Sequence, residues 1–119
     1  MDHKVLDFGT DSYDSCDYAD FAHRAAEAVQ HGDVSIGVVL CGSGNGVNMV
    51  ANKYQNVRCA LCWTAEIAML GRAHNDANII AIPARFVSEH QAIQMVQTFL
   101  ETPFDGGRHK RRIDKIPIS

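Results

Sequence analysis

The chain has 119 residues, a formal net charge of −3, and 46% hydrophobic against 21% charged residues. That length suffices for one domain with a real core and not for two, and the balance is that of a globular chain, not a disordered one. The acidic total argues against a nucleic-acid binder, and no apolar run approaches the ~20 residues of a membrane helix, so no membrane contact is expected.

The start of the chain lacks the basic-then-apolar pattern of a secretory leader. The four cysteines, 16, 41, 59 and 62, are therefore read as reduced thiols of a cytoplasmic protein.

In chain order, Lys4 to Phe8 reads as a short strand ending at Gly9, and Asp11 to Cys16 as a polar turn. Asp17 suits the cap of a helix from Tyr18 to Gln30, with Phe21, Ala22, Ala25, Ala28 and Val29 on its apolar side and His31-Gly32-Asp33 as its stop. The apolar run Val34–Leu40, closed by Cys41, predicts a buried strand. A helix is expected from Val47 to Tyr54, a strand over Arg58–Trp63, and a Thr64-capped helix to about Ala73. Asn78–Ile82 is a further strand closed by Pro83. Ser88, with an incomplete capping box, opens the last periodic helix, through Leu100. Thr102 to Ser119 is Gly-containing and basic.

Strands alternating with helices of this length imply a parallel sheet with helices on both faces: an α/β fold, in a single domain spanning 1–119. Only four strands are read, and the first stands almost at the beginning of the chain.

Between the second strand and its helix lies Cys41-Gly-Ser-Gly-Asn-Gly46. Glycines let backbone N–H groups approach a ligand, and a helix N-terminus favours an anion or a thiolate. The stretch is neither a dinucleotide fingerprint, since position 47 is Val, nor a P-loop, since no Gly-Lys-Ser/Thr follows. A tight turn beside an inert buried cysteine fits the local pattern as well.

Cys59 and Cys62 form a C-x-x-C, but on a strand the two sulfurs point to opposite faces, which favours core over metal or redox chemistry. His74-Asn-Asp76 reads either as proton-transfer chemistry or as a helix C-cap, with Asn75 tolerating the left-handed position. Asp17-Tyr18 could hold a sugar hydroxyl or be a cap and a packed aromatic. Arg108 and Arg112, at helical spacing, could clamp a phosphate or belong to a solvated tail.

Taken together these pieces resemble the ribose-5-phosphate isomerase B family, which also contains galactose-6-phosphate isomerase subunits. The matching segments are Val5–Thr10, Asp17–Ala22, Leu40–Gly46, Ala51–Lys53, Arg58–Cys62, His74–Asn78, Ala84-Arg85 and Gly106–Arg112, in the family's order. The resemblance implies a three-layer α/β/α Rossmann-like parallel sheet. The family's first strand, ending in Asp-His, and the helix after it have no counterpart ahead of Lys4, so an N-terminally truncated version of the fold is expected.

The activity implied is aldose–ketose isomerisation of ribose 5-phosphate through an enediolate, in the pentose phosphate pathway, with no metal and no organic cofactor. Cys41 matches the base, Ser43 a proton-shuttling hydroxyl, and the N–H groups from Gly42 to Gly46 the oxyanion hole. His74 matches the ring-opening residue and Asn75 a sugar contact. Tyr18 and Asp17 match further sugar contacts, and Arg85, Arg108 and Arg112 phosphate contacts. A homodimer or dimer of dimers, with sites shared between subunits, is implied as well. The alternatives are a galactose- or allose-6-phosphate isomerase, or an inactive phosphosugar-binding or assembly subunit.

Overall fold

The computed structural model describes residues 3–9 and 17–118; the expected turn at Asp11–Cys16 lies outside the described residues. Three parallel strands, β1 (Gly37–Cys41), β2 (Cys59–Leu61) and β3 (Ile79–Pro83), form a sheet in the order β1-β3-β2. Gly37 pairs with Ile79 and Cys59 with Ile79, so all three strands begin level at one edge. β3 is buried along its whole length, as a central strand covered on both faces must be.

The sheet carries helices on each face. On the first, α1 (Tyr18–Gln30) and α2 (Asn45–Ala51) bury Ala22, Ala26, Val29, Val47 and Ala51 against Val39, Ile79 and Ala81. On the second, α3 (Ala65–Asn75) and α4 (Glu89–Glu101) bury Ala68, Met95 and Phe99 against Ile80 and Ile82. A short α5 (Arg108–Ile113) seats Ile113 and packs on α3. This is the expected α/β architecture of a parallel sheet between helical layers.

Polar side chains close the outer edge of β2. Asn52 Oδ1 accepts from the Cys59 N–H at 2.8 Å, and its Nδ2 donates to the Cys59 carbonyl at 3.0 Å. One amide thus satisfies both outward groups of that residue, in place of a further strand.

Four expectations are corrected. Residues 3–9 form no strand: Val5–Gly9 line a cavity of about 630 Å³ between themselves and β1 and do not pair with it, so their backbone has no ladder to join. β1 starts at Gly37, not Val34, and only one of its faces is covered. Val38 and Leu40 are 42% and 60% exposed because α4 packs over β3, leaving a second cavity of about 460 Å³ beside β1. The capping box at Ser88 is complete: Ser88 Oγ accepts from Gln91 N–H, and Gln91 Oε1 accepts from Ser88 N–H. The left-handed residue closing α3 is Asp76, at φ 47°, not Asn75. Arg58 and Arg72 both hold the Asp76 carboxylate, and Arg72 also donates to the Ala77 carbonyl, which offsets the cost of that conformation.

No helix among the described residues is long and apolar enough to cross a membrane.

Candidate active site

β1 delivers Cys41, half-buried, to the carboxyl edge of the sheet, where open α/β sheets place their ligands. The chain then turns through Gly42, Ser43 and Gly44. Gly44 has φ 77°, and a Cβ there would lie 3.2 Å from the Ile82 carbonyl carbon and nearer still to Leu61. A side chain at 44 is thus excluded twice, by torsion and by space. The Gly42 carbonyl accepts from Arg85 N–H at 3.0 Å and the Cys41 carbonyl from Ala84 N–H at 2.8 Å, locking the turn to the end of β3.

Two helices starting at this edge spend N-terminal donors on caps: Thr64 accepts from Ile67 N–H in α3 and Ser88 from Gln91 N–H in α4. The N-terminus of α2 differs. Its cap is Gly44, which has no side chain to bond; only Asn45 N–H is satisfied locally, by Ser43 Oγ at 3.2 Å. Among the described residues, the N–H groups of Gly42, Ser43, Gly44 and Gly46 donate to no acceptor. Backbone donors left open beside a thiol suit an oxygen that gains negative charge during a reaction.

Tyr18, at the first position of α1, lays its ring against Gly46, where any Cβ would collide with it, and is half-exposed over the cavity that Cys41 also lines. Asp17, the N-cap of α1, makes no side-chain cap bond. Arg85 lies beside Gly42, its Cδ and Nε each 3.1 Å from the position a Cβ would take. Cys41, Ser43, Gly42, Gly46, Tyr18, Asp17 and Arg85 therefore share one edge.

The other candidates do not join them. α3 leaves the carboxyl edge at Thr64 and runs back for 11 residues to the edge where β3 begins. At 1.5 Å per residue that carries His74 and Asn75 about 15 Å along the sheet, to its opposite side. α5 packs there too: His109 stacks on His74, with ring centroids 4.2 Å apart and planes 10° from parallel. Arg108 and Arg112 are exposed one turn apart on that helix, so the basic run is helical and not a loose tail. His109 is held below its ordinary pKa, first by desolvation and then by the His74 imidazole and Arg108. Sequence reasoning missed His109 and Asp105, which reach His74 only through the fold.

The C-x-x-C is core. Cys59 packs with the α1/α2 face and Cys62 with the α3/α4 face. Burial pushes the Cys59 thiol up to about 12, with Cys62 adding to the shift, and burial pushes Cys62 up to about 11. Both are protonated and inert at neutral pH.

A parallel sheet between helical layers, with a glycine turn at its carboxyl edge, defines an α/β protein of Rossmann-like fold, and such a turn suits a small anionic ligand. Residues 1–116 match the Ribose/Galactose Isomerase family, and the chain belongs to that family. A protein of Mycoplasma genitalium named probable ribose-5-phosphate isomerase B is 43% identical over 114 residues, covering 94% of this chain and 75% of the relative. Ribose-5-phosphate isomerase B of Clostridium thermocellum superposes with a TM-score of 0.94 at 44% identity, over 96% of this chain and 77% of that one. The Mycoplasma genitalium isomerase solved with bound ribulose 5-phosphate gives 0.90 at 43% identity, over 94% and 75%.

Proposed function

We propose that this chain interconverts ribose 5-phosphate and ribulose 5-phosphate. The observation that carries the proposal is the loop 41–46, a thiol beside backbone donors that meet no acceptor among the described residues, in a chain whose relatives bear that activity in their names. In the aldose-to-ketose direction, the Cys41 thiolate takes the proton from C2 and the C1 oxygen takes up the negative charge. The N–H groups of Gly42 to Gly46 hold that oxygen. A hydroxyl proton passes from the C2 oxygen to the C1 oxygen by way of Ser43, and the Cys41 thiol returns its proton to C1. Atoms balance without an oxidant or a cofactor.

Asp17 and Tyr18 contact the sugar and Arg85 contributes to phosphate binding. His74 opens the furanose ring, with Asn75 on the sugar and Arg108 and Arg112 on the phosphate. Because the His74 group stands at the opposite edge from Cys41 in one chain, the reading requires a homodimer in which each site takes Cys41 from one copy and His74 from the other. A cytoplasmic setting is part of the same proposal and rests on the reduced thiols expected of the sequence.

Conversion of ribose 5-phosphate by the purified chain, with Cys41→Ala as control, tests it. The wild type turns over, and the variant loses about 10²–10⁴ in kcat, the span of a general base, with an unchanged circular dichroism spectrum. Equal rates in the two would remove Cys41 from the mechanism. Because the family name spans two sugars, galactose 6-phosphate is run alongside, and a higher kcat/KM on it would overturn the pentose assignment.

A further inference from the structure

We propose that His74, Asp105 and His109 form a binding site for one divalent transition-metal ion, Zn²⁺ or its borderline neighbours Co²⁺ and Ni²⁺. One ligand atom from each lies within 4.8 Å of the other two. Three separate segments bring them together: the end of α3, the loop before α5, and α5 itself.

The backbone holds this arrangement before any ion arrives. Asp105 N–H donates to the Ala73 carbonyl at 2.9 Å, next to His74. Arg72 Nε donates to the Thr102 carbonyl at 3.3 Å, fixing the start of the same loop. Gly106 and Gly107 both have positive φ, 71° and 59°, and this reversal sets α5 down with His109 over His74. The two imidazoles lie nearly parallel, 4.2 Å apart, so their in-plane lone pairs run side by side, and each ring must turn out of the stack to aim a nitrogen at a shared ion.

Two imidazoles and one carboxylate are a donor set for Zn²⁺ and its neighbours; Mg²⁺ and Ca²⁺ favour oxygen alone. Bonds of ~2.0–2.2 Å put tetrahedral donors ~3.4 Å apart. Closing from the observed spacing needs both rings to rotate out of their stack, which an exposed Asp105 and two half-buried histidines permit. The Asp105 carboxylate also opposes the charge of Arg108 and Arg112 nearby. Cys59 and Cys62 do not compete, since they pack on opposite faces of the sheet.

A bound ion would occupy the His74 lone pair. On the proposed role of His74 in ring opening, Zn²⁺ is therefore a reversible inhibitor and not a cofactor.

Titration calorimetry of the untagged full chain with zinc chloride reads binding without reference to turnover. One Zn²⁺ per chain is expected, with affinity at least tenfold lower in His109→Ala and in Asp105→Asn, and an unchanged response in Cys59→Ala. Equal affinity in the wild type, His109→Ala and Asp105→Asn would overturn the site. Both variants keep His74, so each also retains isomerase activity and loses sensitivity to Zn²⁺. Binding that follows this pattern without inhibiting the wild type would leave the metal site standing and remove His74 from turnover.

Discussion

The two edges of the sheet offer a ligand different kinds of group. The carboxyl edge works with backbone: Gly42, Gly44 and Gly46 clear space, and N–H groups of the turn beside Cys41 donate to no acceptor among the described residues. The opposite edge works with side chains: Arg108 and Arg112 project from α5, and His74 from the end of α3, which Arg58, Arg72 and Asp76 hold. Backbone donors are fixed as soon as the turn forms, so they suit a charge that exists only in the transition state. Imidazoles and guanidinium groups carry protons and full charges, so they suit ring opening and phosphate. On the proposed function neither edge alone isomerises a phosphosugar, and this division is what makes a second copy part of that proposal.

The sharpest way to break the comparison is complementation. Cys41→Ala and His74→Ala are each expected to be nearly dead alone. Unfolded and refolded together in equal amounts, they regain about a quarter of wild-type activity, since half the dimers are mixed and each mixed dimer holds one intact site of two. No recovery, with dimers confirmed by light scattering, would mean that the edges do not meet across an interface.

How far the sequence discloses this depends on the range of the interactions involved. β3, α1, α3 and α4 were legible because periodic apolar residues and local caps such as Thr64 determine them. The segment at 4–8 was not, because a strand exists only by virtue of its neighbour, and no alternation of residues reveals whether one is present. The glycine turn could be seen as a donor loop from its spacing. That Thr64 and Ser88 cap their helices while Gly44 leaves its own open required the hydrogen bonds. The stacking of His109 on His74 joins residues 35 positions apart through a loop with two left-handed glycines, and neither residue carries a local signal of it.

Gly44→Ala has the next largest effect. A Cβ would strain a φ of 77° and press on Leu61 and the β3 carbonyl, at a cost of about 2–4 kcal/mol. Urea denaturation reads the lost stability, and a drop in kcat beyond it shows that the donors have moved. An unchanged midpoint would mean that the turn is looser than its packing indicates.

Alkali separates the core thiols from both edges. Native Cys59 and Cys62 titrate at about 12 and about 11, against 9.0 in the free residue. Above pH 9 the unfolded chain therefore loses these protons while the native chain keeps them, so the native state binds more protons and its stability falls as pH rises. Below pH 9 the two cysteines contribute no slope. Denaturation midpoints of the wild type and Cys59→Ala from pH 7 to 10.5 should run parallel up to pH 9 and then converge. Parallel lines throughout would place Cys59 in contact with water.

The smallest expected effect bears on why one helix start at the carboxyl edge is open. Ser88 and Gln91 satisfy each other's backbone donors at the head of α4. Ser88→Ala removes one of these bonds and should cost about 1 kcal/mol, roughly 4 °C in Tm for a chain of this size. Since α4 covers β3 and none of its residues lines the cavity beside Cys41, kcat and KM should not change. A serine at position 44 would cap α2 in the same way, but Leu61 and the β3 backbone leave it no room. α2, which starts just after the Cys41 turn, is thus kept from closing its own donors by packing, and they remain open to a ligand. If Ser88→Ala lowered kcat instead, capped and uncapped termini would not be independent, and the division between a structural and a binding helix start would fail.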